Sequence, residues 1–205
     1  MTGSSCPACG IAMPTSIVTQ CAKCIQTPLS FDCCLSAFVF SYPVNHIIQR
    51  IKYNQGTELI SPLIPFLTNV LIDYYCARPW PEAIIPTPLH KKRMRSRGYN
   101  QSLLLAKAIH QALPINSACH LEEKSIYKHK ETASQQNLPA SARRKNIKGA
   151  FCVKNTIPFR HVAIVDDVVT TSETVSEISR VLKKTGVEQV DIWCLARTPR
   201  DNLIG

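Results

Sequence analysis

Apolar and polar positions alternate along the chain with two different periods. Short apolar runs that are typical of buried strands lie at Ala37–Phe40, Ala83–Pro86, Val162–Val165 and Val187–Leu195. Helical spacing of apolar residues begins in the segments between them, near Pro43, Gly56, Asn100 and Thr174. This alternation predicts an α/β domain with a mainly parallel sheet. Ligands of such sheets bind at the carboxyl ends of the strands, so the residues after each run are the first candidates for a site.

The most apolar stretch of the chain, Leu59–Cys76, is interrupted by Pro62, Pro65, Asn69 and Asp73. This composition favours a buried helix over a bilayer span, and the two early prolines predict a kink or a split in that helix. The N-terminal residues lack the basic start and the apolar core of a signal peptide. We therefore expect a soluble, cytoplasmic protein with no membrane insertion.

Two adjacent carboxylates, Asp166 and Asp167, follow the third apolar run and precede a segment rich in hydroxyl groups. That segment consists of Val169, Thr170, Thr171, Ser172, Glu173 and Thr174. Its hydroxyls, its backbone amides and the positive end of the following helix suit a phosphate monoester. The carboxylates can accept hydrogen bonds from vicinal hydroxyls or reach Mg²⁺. An ATPase would need a partner phosphate loop, and no Gly-Lys pair occurs in the chain. An acidic strand end that merely caps a helix is the remaining alternative.

A dense run of cations follows the second apolar run. Five of the seven residues from Lys91 to Arg97 are basic. Because arginine can grip phosphate oxygens through two hydrogen bonds, we predict an anion-binding loop here, with a solvated charge run as the alternative. The candidate residues are Arg93, Arg97, Gly98, Asn100 and Gln101.

A long segment, residues 124–148, is polar, basic and without a clear period. Such a segment is either a mobile loop that closes over a ligand or a disordered stretch. Its cations, among them Arg143, Arg144 and Lys145, suit a pyrophosphate group and a DNA backbone equally well. His129 is a possible proton donor there, although a lone loop histidine is usually only solvated. No catalytic residue is assigned.

Four cysteines near the N-terminus form two CxxC pairs, Cys6 with Cys9 and Cys21 with Cys24. Four thiolates are the ligand set that Zn²⁺ prefers in a closed structural site. Redox motifs or disulfides are the alternative, but a redox CxxC would need a strand–helix–strand context that is missing here. We expect a zinc-ribbon segment at residues 1–35, an α/β domain at 36–205, and buried positions for the other six cysteines.

The charge balance points to an anionic partner. The 205 residues carry a net charge of +10, and more than half of the 24 basic residues lie between Lys91 and Lys148. Charge alone does not distinguish nucleic acid, a phosphate-rich metabolite and a membrane surface.

The acidic segment resembles the phosphoribosyl-pyrophosphate (PRPP) signature of type I phosphoribosyltransferases. The resemblance implies that Asp166 and Asp167 hold the ribose hydroxyls, with Mg²⁺, and that residues 170–174 surround the 5′-phosphate. Residues 124–148 then correspond to the mobile loop of these enzymes. One departure is Ser172, where the family usually has glycine, because a Cβ there restricts the backbone and crowds the phosphate.

A narrower resemblance rests on motifs that occur in a fixed order. These are the CxxC pairs, Pro88-Leu89, Arg97-Gly98-Tyr99-Asn100-Gln101, Gln135-Gln136-Asn137-Leu138, Arg143-Arg144-Lys145-Asn146, Gly149-Ala150-Phe151 and Asp166-Asp167. Together they are similar to the ComF/GntX family of phosphoribosyltransferase-like proteins. This implies a role in natural competence, in which incoming single-stranded DNA is handled in the cytoplasm, and it implies a competence helicase as a partner.

Two functions therefore stay open at this point. One is a competence-type protein with a PRPP-binding fold, a structural zinc site and affinity for single-stranded DNA, with Tyr53, Tyr99 or Tyr127 as stacking platforms. The other is an active phosphoribosyltransferase that moves ribose 5-phosphate from PRPP to a nitrogenous base. A metabolite-sensing repressor ranks last, because the chain has no helix-turn-helix signature.

Overall fold

Five strands form one sheet in which all neighbouring strands are parallel. The computed structural model of the protein describes residues 5–13, 20–53, 56–132, 146–154 and 156–199. In spatial order the strands are β1 (Cys33–Val39), β7 (Gln189–Arg197), β6 (His161–Val169), β2 (Ala83–Pro86) and β3 (His120–Leu121). A separate antiparallel pair is formed by β4 (Ile126–Lys128) and β5 (Phe151–Val153). The prediction of an α/β fold with a mainly parallel sheet is confirmed.

The helices occupy most of the segments that the apolar spacing predicts. In the described residues they are α1 (Ala22–Gln26), α2 (Val44–Tyr53), α3 (Ile64–Tyr75), α4 (Lys91–Arg97), α5 (Gln101–Ala112) and α6 (Glu173–Lys183). Two short 3₁₀ turns, Thr57–Leu59 and Ser61–Leu63, precede α3. The predicted split is thus confirmed, because proline lacks the amide hydrogen that a continuous helix needs.

The sheet buries side chains on both faces, which explains the continuous apolar runs of its central strands. Successive residues of a strand point to opposite faces. Ile164 and Ile192 accordingly pack into one core layer with α6. Val165 and Trp193, the next residue of each strand, pack into the other layer with α2, α3 and α5.

Several predicted segments differ from the structure. The first strand starts at Cys33 and not at Ala37, because its backbone pairs with β7 from Asp191 onward. Strand β6 continues to Val169, so Asp166 and Asp167 lie within its last half and not after its end. Pairing with β7 along its whole length extends the strand beyond the apolar run.

The basic run Lys91–Arg97 is a helix and not a loop. Lysine, arginine and methionine are good helix formers, and His90 caps the helix by accepting a hydrogen bond from the Lys92 amide. Gly98 ends it in the left-handed conformation, with φ of 82°.

We expect no regular structure in the segment 124–148, but part of it forms a strand. Ile126–Lys128 pairs with Phe151–Val153. Residues 133–145, with Arg143, Arg144 and Lys145, lie outside the described residues.

The expectation that the remaining six cysteines are buried is wrong for two of them: Cys76 is exposed and Cys152 is half-buried. The division after residue 35 stays a prediction.

Candidate functional site

A cleft of about 330 Å³ opens at the carboxyl ends of β2 and β6. Among the predicted residues it is lined by Arg93, Arg97, Gln101, Asp166, Asp167, Val169, Thr170, Thr171, Ser172, Glu173 and Thr174. Gly98 and Asn100 do not line it. Gly98 ends α4, and Asn100 begins α5, where its side-chain amide donates to the Thr87 carbonyl at 3.0 Å.

The two carboxylates at the cleft have different environments. Asp167 is buried and its Oδ2 lies 2.9 Å from the Nζ of Lys52. Asp166 is half-buried, and its Oδ1 accepts hydrogen bonds from the Ser102 hydroxyl at 3.0 Å and from the Asp167 amide at 2.9 Å. Lys52 and Ser102 come from α2 and α5, so three elements meet at the acidic pair.

These environments shift the ionisation of the site. Burial and the neighbouring Asp167 charge raise the pKa of Asp166 to about 7. For Lys52, burial lowers the pKa, but the attraction of Asp167 outweighs this effect and the net pKa is raised. Asp167 thus forms an ion pair with a lysine, and Asp166 beside it is partly protonated at neutral pH.

The segment after β6 forms a tight turn into α6. Ser172 stands before the first residue of the helix in the left-handed conformation, with φ of 67°. This region favours glycine, and a non-glycine residue pays about 1 kcal/mol to adopt it. The Ser172 hydroxyl accepts a hydrogen bond from Nη2 of Arg197 at 3.1 Å. The side chain is thus engaged with Arg197.

Cations and aromatic rings form the other walls of the cleft. Nη1 of Arg97 donates to the Gln101 side chain at 2.5 Å, and its guanidinium lies 5.1 Å from the centre of the Tyr53 ring. Lys128 also lines the cleft, and burial together with the nearby Arg93 lowers its pKa to about 8. Phe40 completes this side.

Helix α4 is tied to the chain that leads into residues 133–145. Lys92 forms an ion pair with Glu131 at 2.6 Å. Nη2 of Arg93 donates to the Thr132 carbonyl at 3.5 Å, and Nζ of Lys128 donates to the Thr132 hydroxyl at 2.6 Å. Arg93 and Lys128, which both line the cleft, therefore also contact Thr132.

Lys52 lines the cleft and lies outside the sequence prediction, as do Ser102 and Arg197, which contact residues that line it. Lys52 and Ser102 sit on helices whose apolar spacing gives no indication of a site, and Arg197 ends a strand about 30 residues after the acidic pair. The order of the strands in the sheet determines which residues these three side chains contact, and residue spacing along the chain does not indicate that order. Lys128 is visible only as one cation of a basic segment.

The four N-terminal cysteines come together as a second site. All are buried, and their Sγ atoms lie within 4.8 Å of one another. The Cys21 amide donates to Sγ of Cys6 at 3.3 Å. A buried, compact set of four thiols suits a soft divalent metal ion, and with four protein ligands such a site is closed.

None of the helices that the structure describes is long and apolar enough to cross a bilayer.

A family model and curated relatives match the chain. The model of the phosphoribosyl transferase domain matches residues 100–203. The chain is 34% identical over 198 residues to the DNA utilization protein YhgH of Escherichia coli O157:H7, covering 94% of this chain and 84% of that protein. It is 36% identical over 183 residues to competence protein F of Haemophilus influenzae, covering 87% and 78%.

Other matches have lower sequence identity. Competence protein ComFC of Bacillus subtilis is 23% identical over 197 residues, which cover 91% of this chain and 74% of that protein. Among solved structures, a hypoxanthine phosphoribosyl transferase of Trypanosoma cruzi matches with a TM-score of 0.42 and 19% identity, covering 69% of this chain and 66% of that one. The family model and the relatives above 30% identity show that the chain belongs to the ComF/GntX family of phosphoribosyltransferase-like proteins.

Proposed function

We propose that the protein binds PRPP with Mg²⁺ in the cleft and handles single-stranded DNA in the cytoplasm during DNA uptake. The observation that carries the first half is one cleft that joins an acidic pair, a hydroxyl-rich turn and several cations. The names of the relatives, which refer to competence and DNA utilization, support the second half. The competence helicase implied by the family resemblance belongs to the same proposal as a partner.

Each part of PRPP has a chemically matched group in the cleft. Asp166 and Asp167 accept hydrogen bonds from the ribose hydroxyls and provide oxygen ligands for Mg²⁺. The segment from Val169 to Thr174 offers hydroxyls and backbone amides to the 5′-phosphate, and the start of α6 adds its positive dipole. Arg93 and Arg97 face the pyrophosphate group, with Lys128 beside them.

The raised pKa of Asp166 gives this binding a pH dependence. Because coordination of a cation requires the ionised carboxylate, binding of Mg²⁺ and PRPP releases the proton that Asp166 partly holds at neutral pH. Affinity should therefore rise between about pH 6 and pH 8. The second carboxylate, Asp167, forms an ion pair with Lys52.

The cysteine cluster is proposed as a structural Zn²⁺ site. Its ligands are Cys6, Cys9, Cys21 and Cys24, which leave no open position for a substrate. The metal then supplies folding energy to a short segment whose buried apolar cluster contains little beyond the cysteines themselves.

The outer face of α4 supports the DNA interaction. Lys91, Lys92 and Arg95 are exposed on this helix. Beside it lies a groove of about 390 Å³ whose lining includes Lys91 and Tyr127, and Tyr127 is 46% exposed. A row of cations next to an exposed aromatic ring is the usual platform for a single strand. Tyr99 is less suited, because its hydroxyl donates to the Ile51 carbonyl.

Calorimetric titration of the zinc-loaded protein with PRPP and Mg²⁺ tests the cleft. We expect saturable binding that is lost when Asp166→Ala and Asp167→Ala are combined. The matched control is Asp73→Ala, which removes an exposed carboxylate on α3. Unchanged affinity in the double variant, or no binding by the unmodified protein, would refute the assignment.

The DNA interaction is tested by the salt dependence of single-strand affinity. Combined Lys91→Ala, Lys92→Ala and Arg95→Ala should make the slope of log K against log salt shallower by about 2, at about 0.7 per lost phosphate contact. Lys184→Ala, an exposed lysine just beyond α6, is the control. An identical slope in the triple variant contradicts this surface.

Transfer of ribose 5-phosphate to a nitrogenous base is the second candidate. The aromatic side chains of Phe40 and Tyr53 in the cleft favour it, because they could stack on a base. Release of pyrophosphate from PRPP in the presence of individual nucleobases would establish it. Tyr53→Ala should then raise the KM for the base, and absence of release with every base would exclude it.

A further inference from the structure

Arg197, the last residue of β7, joins the turn at residues 169–172 to the cysteine segment. It is 4% exposed. Its Nη1 donates to the carbonyls of Val169, at 2.7 Å, and of Thr170, and its Nη2 donates to the Ser172 hydroxyl at 3.1 Å. On its other side, Nε donates to the Cys9 carbonyl at 2.8 Å. One guanidinium therefore holds three residues of the turn and one residue of the cysteine cluster.

The turn lies between two cavities. Thr171, Ser172 and Glu173 line the PRPP-type cleft on one side. The same three residues line a second cavity of about 510 Å³ on the other side, between the turn and the cysteine segment. Arg197 supplies three of the hydrogen bonds that hold this turn.

The guanidinium of Arg197 donates to backbone carbonyls and to one hydroxyl. In the described part of the chain, no Asp or Glu forms an ion pair with it. A buried guanidinium bonded only to neutral oxygens is electrostatically costly. An anion at the turn lowers this cost from one side. Four thiolates with one divalent cation carry a net charge of about −2, and this charge lowers the cost of burying Arg197 from the side of the cysteine cluster.

The cysteine segment is also fixed against the sheet. Gly10 has φ of 70°, and a Cβ at this position would lie 2.6 Å from the Cys34 carbonyl oxygen in β1. The backbone that carries Cys9 therefore approaches the sheet too closely for a side chain. A shift in the positions of the four cysteines therefore moves the Cys9 carbonyl as well.

We propose that Arg197 is a positioning residue for the phosphate-binding turn and that it couples metal binding at the cysteines to anion binding in the cleft. The coupling rests on the proposed PRPP site, whereas the positioning of the turn does not. Because such coupling is reciprocal, the metal raises the affinity for the phosphate ligand and the ligand raises the affinity for the metal by the same factor.

The test uses Arg197→Lys, which keeps the charge but loses the planar set of donors. Its control is Arg160→Lys, at an exposed arginine paired with Glu188 beyond the opposite end of the sheet. In calorimetry with PRPP and Mg²⁺ we expect affinity to fall about tenfold or more in Arg197→Lys, with zinc content near one per chain. The control should bind like the unmodified protein.

Reciprocity is the readout that a merely structural role would not produce. Saturating PRPP with Mg²⁺ should raise the zinc affinity, measured by equilibrium competition with a chelating dye, by about tenfold in the unmodified protein. In Arg197→Lys this effect should vanish. Equal PRPP effects on zinc affinity in the two proteins would overturn the coupling.

Hydrogen exchange separates this inference from the proposed function, because it needs no ligand. Amides of residues 169–174 should exchange faster in Arg197→Lys and in zinc-free protein than in zinc-loaded protein. If PRPP does not bind but exchange rises in this way, the proposed function fails and the positioning role stands. Unchanged exchange overturns the positioning role. Should Arg197→Lys fail to fold, Ser172→Ala, which removes one acceptor of Arg197, replaces it in the hydrogen-exchange measurement.

Discussion

Replacing Asp166 with asparagine should stabilise the ligand-free protein at neutral and alkaline pH. The Asp166 carboxylate is half-buried at the cleft beside the charge of Asp167, so its pKa is raised to about 7. Asparagine has the same shape, and its Oδ1 can keep the hydrogen bonds from the Ser102 hydroxyl and the Asp167 amide. The substitution therefore removes the repulsion between the carboxylates and preserves the accepted bonds.

The size and the sign of the effect follow from linkage. A pKa raised from 3.8 to about 7 corresponds to an upper value of about 4 kcal/mol at pH 8. Because Asp166 is partly exposed, solvent screening reduces the expected gain to about 1–2 kcal/mol. Since the folded-state pKa is the higher one, wild-type stability falls as the pH rises from about 4 to about 7 and is level above. The asparagine variant lacks this fall, so its advantage grows across the same window.

Thermal unfolding of the zinc-loaded, ligand-free protein between pH 5 and pH 8 measures the effect. For a chain of this size 1–2 kcal/mol corresponds to an increase in Tm of about 2–8 °C at pH 8 and to less at pH 5. Asp73→Asn, at an exposed carboxylate on α3, is the matched control. A variant that is less stable than wild type at pH 8, or a difference independent of pH, would refute the reasoning.

Three further predictions concern the cysteine segment and the core. Cys21→Ser should lower the metal content measured by elemental analysis from one per chain to near zero and reduce Tm, and a ratio that stayed near one would contradict the four-thiol site. Gly10→Ala should cost about 2 kcal/mol in chemical denaturation, because the backbone there is left-handed and a Cβ would clash with the Cys34 carbonyl; an unchanged unfolding midpoint would count against this docking. Asp191→Asn should cost about 3 kcal/mol in urea unfolding at pH 7, because Asp191 is buried and its Oδ2 lies 2.7 Å from Nε2 of His161. Burial opposes ionisation of Asp191, but its hydrogen bonds, the first of them to His161, lower its pKa on balance. The contribution of Asp191 to stability is therefore present at neutral pH and lost in strongly acidic solution. Equal stability of the variant and the unmodified protein at pH 7 would refute the stabilising role of the Asp191–His161 contact.

The sequence predicts the parts of the fold that depend on neighbouring residues. Strand β2 has the predicted bounds, and α5 begins after Asn100, whose side chain accepts from the Ser102 amide. Both depend on interactions within a few residues. The order of Asp166, Asp167 and the hydroxyl-rich turn is similarly local, because one strand and the following turn bring these groups to one edge of the sheet.

Other elements depend on interactions that are distant along the chain. Strand β6 extends past the apolar run to Val169, since β7 supplies hydrogen-bond partners there. The basic run was predicted as a loop, because a short charged segment has no apolar spacing to indicate a helix. Its helical form depends on the His90 cap, on the Gly98 turn and on contacts such as that between Lys92 and Glu131.

The sequence by itself determined the chemistry of this protein: two CxxC pairs, an acidic pair, a turn rich in hydroxyls and an excess of cations. Only the tertiary structure decided which side chains complete each site. Lys52 reaches Asp167 across more than 100 residues, and Arg197 meets both Cys9 and Ser172. The physical reason is that β7 lies between β1 and β6, so the end of one strand brings distant segments together, and residue spacing along the chain carries no information on that order.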